Sequence, residues 1–244
     1  MPNIRFHSCL QENQAVRDAY SMLSGNIHME TENRDIKSIV IASSEPKAGK
    51  TSVAVNLAIT LAGWGKKAIL VDADMRKETT HVSIPKWVSN LGLSQYLSGN
   101  AEYEEIICYT NIEGFKYMPN GGIALNPIGN LCSDRFNELL KRLKEEFEYV
   151  IFDSPALDTI TDAVIISSKV DYAILVAKMG KTNLKALKRS KEKLEKANAH
   201  ILGVVINDIN KKNYKQYLSS YKYFFNAKDK SENGEKPSKK AILA

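Results

Sequence analysis

The stretch Ser43-Ser44-Glu45-Pro46-Lys47-Ala48-Gly49-Lys50-Thr51 decides the fold of this chain. It follows the apolar run 38–42 and precedes a helix-like segment, 52–58. A strand, a tight loop ending in Gly-Lys-Thr and a helix together form a phosphate cradle, because backbone N–H groups and the helix N-terminus face the anion. The lysine reaches the outer phosphates, and the threonine hydroxyl binds magnesium. Ser44 stands where the strict motif has its first glycine, so the alternative for this stretch alone is a turn rich in Ser and Pro.

Two further apolar runs end in carboxylates. Residues 68–71 lead into Asp72 and Asp74, and residues 149–152 lead into Asp153. Short continuous apolar runs are typical of strands buried on both faces of a parallel sheet, and such sheets bind ligands at the carboxyl ends of their strands. A magnesium nucleotide needs hard oxygen ligands and a group that orients the nucleophile. The three segments together therefore predict a nucleotide site at one edge of a sheet.

The pattern along the chain alternates strands with helices, which predicts an α/β fold with a doubly wound, mostly parallel sheet of the P-loop NTPase type. An N-terminal helix is predicted over residues 11–24, and residues 78–114 show the least regular pattern. We predict strands at 38–42, 67–71, 115–118, 148–152, 172–177 and 201–206, and helices at 50–62, 133–147, 158–168 and 183–197. A single domain is expected over residues 1–226, followed by a flexible basic tail, 227–244, whose composition cannot bury enough apolar surface to become ordered.

Charge and cysteine content narrow the functional class. The net charge is +6, and residues 211–244 carry all of it, with nine lysines and three acids. The rest of the chain is neutral overall, so nucleic-acid binding is not expected. Cys9, Cys108 and Cys132 are scattered, which predicts neither a disulfide framework nor a metal cluster. No apolar run is long enough to span a membrane and no signal region is apparent, so we expect a cytoplasmic protein.

Together, these motifs resemble those of a known family, the bacterial tyrosine kinases. The cytoplasmic domains of that family are autokinases that control capsule and exopolysaccharide synthesis. The loop 43–51 is similar to the first Walker motif of that family. Residues 72–77, Asp-Ala-Asp-Met-Arg-Lys, are similar to its aspartate-rich motif, and residues 151–155 to its third motif. Asn126-Pro127 and residues 203–208 also resemble the family. The resemblance implies ATP and Mg²⁺ as cofactors.

The expected roles of the site residues come partly from chemistry and partly from this resemblance. Lys50 is expected to offset charge on the β- and γ-phosphates. The resemblance implies that one of Asp72 and Asp74 takes or orients the tyrosine proton, with Asp72 favoured, while the other supports the metal. Arg76 and Lys77 fit either phosphate or subunit contacts, or an ordinary solvated pair. The metal ligands are predicted to be Thr51, Asp74 and Asp153, and the nucleotide-binding residues Lys47, Ala48, Gly49, Lys50, Thr51, Ser52 and Asn207.

A cluster of tyrosines lies near the end of the sequence: Tyr214, Tyr217, Tyr221 and Tyr223. Members of the family carry C-terminal tyrosines that neighbouring subunits phosphorylate, so the resemblance implies that these are phosphoacceptors. The aromatic spacing also fits a buried helix face, to which Phe224 and Phe225 would belong.

The sequence departs from the family at two places. Lys47 stands where members have Gly or Asn, and lysine has a steric cost if that position is left-handed. The family's N-terminal Glu-x-x-Arg-x-x-Arg motif reads Asp18, Ser21 and Ser24 here, which predicts weakened self-association. The resemblance further implies a membrane-embedded polysaccharide co-polymerase as adaptor, with peripheral recruitment to the inner face of the membrane.

Two other functions fit the same motifs. One is a partitioning or septum-site ATPase switch, but those proteins carry a signature lysine at the position of Glu45. The other is a regulatory module that binds nucleotide without turnover, an alternative that Lys47 and the missing arginines leave open.

Overall fold

The computed structural model describes residues 3–6, 10, 13–34, 36–77 and 90–209. One sheet of eight strands runs through these residues. The strands are β1 (Asn3–Ile4), β2 (Ser38–Ala42), β3 (Ala68–Asp72), β4 (Cys108–Thr110), β5 (Phe115–Met118), β6 (Tyr149–Asp153), β7 (Tyr172–Lys178) and β8 (Ile201–Asn207). They are ordered β1-β4-β5-β3-β6-β2-β7-β8 across the sheet, and every neighbouring pair is parallel except β4 and β5.

Helices connect these strands and cover both faces of the sheet. In the described ranges they are α1 (Gln14–Arg34), α2 (Lys50–Gly63), α3 (Leu93–Leu97), α4 (Tyr103–Ile106), α5 (Pro127–Cys132), α6 (Asp134–Glu146), α7 (Asp162–Ser167) and α8 (Leu184–Lys196). Alternate residues of β2 enter different cores: Ile39 and Ile41 pack with α2, whereas Val40 packs with α6 and α7. The predicted doubly wound α/β fold is confirmed.

Several predicted boundaries agree with the structure to within one or two residues, because local capping chemistry defines them. Helix α6 begins after Ser133, whose hydroxyl accepts the Phe136 N–H at 3.3 Å. Helix α8 begins after Asn183, whose side-chain oxygen accepts the Lys185 N–H at 2.8 Å. Residues with a side-chain oxygen at this position satisfy N–H groups that the helix itself leaves unpaired.

Two predicted helices have the wrong bounds. Helix α1 continues ten residues beyond the predicted end at Ser24, because its later turns still have a core to cover: Ile27 is buried. Helix α7 starts at Asp162 rather than at Asp158. The Asp158 N–H donates instead to the carbonyl of Ser44 at 3.0 Å, which holds this residue in a loop. In both cases a tertiary contact overrides the local pattern.

The edge that begins with β1 was not predicted. Strand β1 pairs in parallel with β4, and Phe6 just beyond it packs on Phe115 and Tyr117 with ring centroids 4.9 and 5.3 Å apart. Strand β4 and helices α3, α4 and α5 lie where the sequence pattern was irregular or was not assigned to an element. These elements are two to six residues long, too short to show a clear periodicity.

Candidate active site

The segment between β2 and α2, residues 43–49, is called the phosphate loop below. Gly49 immediately precedes α2 and has φ of 96°, in the left-handed region that glycine tolerates. The first turn of α2 therefore points its unpaired N–H groups toward the loop. This is the predicted cradle, and it lies at the carboxyl end of β2, in the middle of the sheet.

Asn207, at the end of β8, lies against the phosphate loop. Its side-chain amide donates to the carbonyl of Ala48 at 3.0 Å. A Cβ atom placed on Gly49 would lie 1.9 Å from the Asn207 Nδ2 atom, so this approach requires glycine as well. The structure thus brings Asn207 to the predicted site through residue 48.

Lys47 adopts a left-handed backbone, with φ of 62°, the conformation that has a steric cost for lysine. A residue with a Cβ atom pays about 1–2 kcal/mol in that region. The Lys47 side chain is exposed and lines the cavity described below. The departure from the Gly or Asn of the family thus adds backbone strain together with a positive charge.

Lys50 is the first residue of α2, and its surface is only 9% exposed. Its ammonium donates to the Ser43 hydroxyl at 3.1 Å. Burial lowers the pKa of Lys50, and the negative charge of Asp153 counteracts that effect. The ammonium is therefore held in the cradle by a neutral hydroxyl, in a place where an anionic phosphate would stabilise its charge.

Asp72 and Asp153 end neighbouring strands and are paired in register. The Thr51 hydroxyl donates to Asp153 Oδ2 at 2.5 Å, while the buried Asp153 Oδ1 makes no hydrogen bond. Burial raises the pKa of both carboxyls, and the charge of Asp153 raises that of Asp72 further. Such a pair gains from a cation that would neutralise it.

Residues 73–77, called the acidic loop below, contain Asp74, the second aspartate of the aspartate-rich motif. Lys77 forms an ion pair with Asp74 at 2.8 Å, and the Asp74 N–H donates to Asp72 Oδ1 at 3.2 Å. Asn120 donates to the carbonyls of Asp74 and Lys77, both at 2.8 Å. No sequence motif indicates Asn120, because the contact joins residues more than forty positions apart.

Arg76 forms an ion pair within the chain, although the residue itself is exposed. Its Nε and Nη2 atoms each lie 2.8 Å from an oxygen of Asp162, and Asp162 is fully buried. The pair raises the pKa of Arg76. Asp162 lies in an unremarkable stretch of sequence, and nothing there marked it as a partner of the aspartate-rich motif.

A cavity of about 750 Å³ opens between these segments. Its walls include the phosphate loop, Lys50, Thr51, Asp74 and Lys77, and the segment 154–160 after β6. Arg5 and Phe6, which directly follow β1, also line it. No sequence motif indicates those two residues.

The residues present fit a magnesium ion bound together with phosphate. Thr51, Asp74 and Asp153 offer hydroxyl and carboxylate oxygens, and one buried oxygen of Asp153 is unpartnered. Within the described ranges, no group of three or more His, Cys, Asp or Glu residues could hold a metal by itself. Magnesium in nucleotide sites is usually held by one or two carboxylates, with phosphates and water completing its shell.

Glu45 bears on the choice between related functions. Its carboxylate accepts a hydrogen bond from the Thr182 hydroxyl at 2.6 Å, and that hydroxyl accepts the Lys178 N–H at 2.7 Å. The position at which partitioning and septum-site ATPases carry their signature lysine is thus occupied by an acid that is bound within the chain.

Comparison with known proteins assigns the family. A family model described as "AAA domain" matches residues 36–207. The chain is 33% identical over 190 residues to the tyrosine-protein kinase CpsD of Streptococcus pneumoniae serotype 4, covering 78% of this chain and 83% of that protein. It is 30% identical over 203 residues to CpsD of Streptococcus agalactiae, covering 83% and 88%. This chain belongs to the bacterial tyrosine kinase family.

Solved structures agree with the kinase family. The chimerical protein CapA2B2 is similar with a TM-score of 0.77 and 32% identity, over 86% of this chain and 95% of that one. The kinase domain of the Escherichia coli tyrosine kinase ETK has a TM-score of 0.71 and 28% identity, over 79% and 77%. The septum site-determining protein MinD from Pyrococcus horikoshii, complexed with Mg-ADP, has a TM-score of 0.58 at 24% identity and shows the fold alone. The predicted family and the P-loop NTPase fold are both confirmed.

Two further predictions concern the C-terminal tyrosines and membrane crossing. The tyrosines at 214, 217, 221 and 223 lie outside the described residues. As for membrane crossing, the helices of the described part include none that combines the necessary length with the necessary apolar character.

Proposed function

We propose that this chain is an ATP-dependent protein-tyrosine autokinase that regulates capsular or exopolysaccharide synthesis. One observation carries the proposal: Lys50, Thr51 and the strand-end pair Asp72 and Asp153 meet at one site, in a chain of the tyrosine kinase family. A phosphate cradle beside buried carboxylates suits transfer of a phosphoryl group to a hydroxyl, because the donor needs cations and the acceptor needs a base.

In this proposal the chain's residues divide the work by position. The phosphate loop and the N-terminus of α2 bind the phosphates, with Lys47, Ala48, Gly49 and Ser52 supplying contacts and Lys50 offsetting the charge that develops. Thr51, Asp74 and Asp153 would hold Mg²⁺, which when bound neutralises phosphate charge. Asn207 keeps the loop close to the end of β8, where it would also meet the base of the nucleotide.

The acceptor tyrosine would give its proton to Asp72. The phenol oxygen attacks the γ-phosphorus, the bond to the ADP oxygen breaks, and the proton passes to the carboxylate. Burial and the charge of Asp153 raise the pKa of Asp72. A Mg²⁺ ion bound beside the pair would offset that rise and keep the Asp72 carboxyl ionised, as a general base must be. Asp74, which is paired with Lys77, would support the metal instead.

The acceptors we propose are Tyr214, Tyr217, Tyr221 and Tyr223 of a neighbouring chain. Self-association is expected to be weak when the chain is alone. Asp18 and Ser21 are exposed on α1, whereas Ser24 is fully buried, so the third position of the family's motif presents no side chain to a neighbour here. A membrane-embedded adaptor of the polysaccharide machinery would then supply an activating cytoplasmic segment and recruit the chain to the membrane.

One observation favours a second candidate, a nucleotide-binding module with little turnover. Lys47 imposes left-handed strain on the loop that must receive the phosphates. The ATPase-switch alternative is less well supported, because Glu45 is hydrogen-bonded to Thr182 and has the wrong charge for the signature lysine.

Incubation with γ-labelled ATP and Mg²⁺ separates these candidates. An autokinase transfers label to its own tyrosines, an ATPase switch releases labelled phosphate, and a binding module does neither while still binding ADP. Addition of a cytoplasmic adaptor segment should increase the tyrosine label. Labelled phosphate in solution without any phosphotyrosine would contradict the proposed function.

A further inference from the structure

The ion pair between Arg76 and Asp162 joins the two segments that carry the carboxylates of the site. Arg76 belongs to the acidic loop, two residues after Asp74. Asp162 begins α7, directly after the segment 154–161 that leaves Asp153, and Thr159 and Ile160 of that segment line the cavity. Neither Arg76 nor Asp162 lines the cavity itself. The pair is therefore placed to act on the site through its neighbours.

Neither helix capping nor a gain in stability explains the geometry of this pair. A carboxylate in the first turn of a helix often interacts with the free N–H groups there, but both oxygens of Asp162 are bound by Arg76 at 2.8 Å. Asp162 is fully buried, and a buried ion pair is seldom more stabilising than an apolar pair of similar volume. Its distinctive property is geometric, since a planar guanidinium bound at two points fixes the orientation of its partner.

We propose that Asp162 is a positioning residue for phosphoryl transfer. It holds Arg76, and through Arg76 it holds the acidic loop so that Asp74 faces the cavity. Asn120 holds the same loop independently, through the carbonyls of Asp74 and Lys77. The inference rests on the proposed function, because it assigns Asp74 to the metal and phosphate end of that site.

Arg76 belongs to the acidic loop, and its partner Asp162 lies outside the phosphate loop. We therefore expect substitutions of this pair to change the effect of Mg²⁺ on ADP binding more than ADP binding without Mg²⁺. In Asp162→Asn, we expect the affinity for ADP without Mg²⁺ to stay within about 2-fold of wild type. The gain in ADP affinity that Mg²⁺ provides should fall about 10-fold. The kcat for autophosphorylation should fall about 10- to 100-fold with little change in the KM for ATP, since a misplacement of about 1 Å can cost about 100-fold in rate.

A double substitution distinguishes positioning from stability. Arg76→Met and Asp162→Leu each leave one charge without its partner and should lower the unfolding temperature. The double variant replaces the ion pair with apolar side chains and should recover that temperature. Arg142→Met is a matched control, because Arg142 forms exposed ion pairs with Glu104 and Glu146 far from the cavity.

The experiment measures ADP binding by calorimetry with and without Mg²⁺, thermal unfolding, and autophosphorylation of all these variants. The proposal expects the double variant to regain stability but neither the Mg²⁺ gain nor kcat, while Arg142→Met keeps both. Recovery of all three properties in the double variant would overturn it. A wild type that binds ADP with a Mg²⁺ gain but makes no phosphotyrosine would defeat the proposed function instead, and loss of that gain in Asp162→Asn would still support the positioning role.

Discussion

The two loops that meet at the cavity are held by different kinds of contact. The phosphate loop is fixed largely through its backbone: Gly49 is left-handed, and the carbonyls of Ser43, Ser44 and Ala48 each accept a hydrogen bond from another segment. The acidic loop also has two backbone hydrogen bonds, from the Ala73 N–H to the Asp153 carbonyl and from the Ala124 N–H to the Met75 carbonyl, both at 2.9 Å. It depends in addition on side chains, through the ion pair of Arg76 with Asp162 and the amide of Asn120. A backbone-held loop is intolerant of changes in conformation, whereas a loop held by ion pairs responds to charge.

Lys50→Met should have the largest effect, because it removes the buried ammonium that would face the phosphates and leaves the backbone of the phosphate loop intact. We expect at least about a 100-fold loss of autophosphorylation, the cost of removing one preorganised donor from a developing charge. The measurement is initial rate of tyrosine phosphorylation, with circular dichroism to check the fold. Lys191→Met, which removes an exposed ion pair with Glu195, is the control. Near wild-type rates in a folded Lys50→Met chain would remove Lys50 from the mechanism.

Gly49→Ala changes the backbone of the phosphate loop without changing its charge. We expect about 10-fold weaker ADP binding, because a residue with a Cβ atom pays about 1–2 kcal/mol at positive φ. Calorimetry gives the affinity. Gly63→Ala is the matched control, since Gly63 has open space around it and lies at the end of the same helix.

The double variant Gly49→Ala/Asn207→Ala separates the two demands on this glycine. It removes the 1.9 Å clash with Asn207 but leaves φ at 96°. Asn207→Ala alone is the reference, because Asn207 is itself proposed to contact the nucleotide. ADP binding by the double variant should remain weaker than that of Asn207→Ala if the backbone conformation dominates. Equal ADP affinity in the two variants would show that the clash with Asn207, rather than the left-handed backbone, explains why glycine is required.

Asp171 tests whether an anchor made by side chains matters away from the cavity. It lies at the opposite end of the sheet, where it accepts the N–H groups of Lys37 and Ser38 and pairs with Lys144 at 2.6 Å. Asp171→Asn should lower the free energy of unfolding by about 1–2 kcal/mol, as expected for a hydrogen-bonded charge that is only partly buried. Urea unfolding measures the change, and ADP affinity should be unaffected. A loss of ADP affinity equal to that of Gly49→Ala would break the distinction between the two ends.

The same carboxylate predicts a pH dependence of stability. Burial alone would raise the pKa of Asp171, but the hydrogen bonds from Lys144, Lys37 and Ser38 outweigh it and lower the pKa. A lowered folded-state pKa means that this stabilisation is complete above the ordinary pKa of an aspartate and is lost as the pH falls through the folded value. The difference in unfolding free energy between wild type and Asp171→Asn should therefore shrink below about pH 4. A difference that grows on acidification would contradict this sign.

Lys77→Met should have the smallest effect and the opposite sense. Lys77 is half-buried and neutralises Asp74, so it competes with a cation for the same carboxylate. Removing it should lower the Mg²⁺ concentration needed for half-maximal ADP binding by about 2- to 3-fold, in line with the worth of a partly exposed ion pair. A rise in that concentration would instead assign Lys77 to phosphate binding.

The residues that could be predicted from the sequence differ from the others in how their positions are determined. Gly49, Lys50, Asp72 and Asp153 were predicted because a contiguous motif or a strand end determines their position. Asp162, Asn120 and Phe6 were not, since each reaches the site through a contact between segments distant in the chain. Arg76 shows where prediction from sequence stops. Its residue type indicated an ionic contact, but its partner Asp162 lies 86 positions away and could not be predicted.

The most direct test of the proposed kinase mixes a chain that cannot transfer phosphate with a chain that lacks the proposed acceptor tyrosines. One chain carries Lys50→Met with all its tyrosines, and the other keeps Lys50 but has Tyr214, Tyr217, Tyr221 and Tyr223 replaced by phenylalanine. Incubated together with ATP, Mg²⁺ and the adaptor segment, the first chain should acquire phosphotyrosine at positions 214–223, as mapped by mass spectrometry. Phosphotyrosine confined to other positions such as Tyr96 or Tyr149, or its absence from the Lys50→Met chain when the wild type is phosphorylated, would contradict transfer from this cavity to the tail of a neighbour.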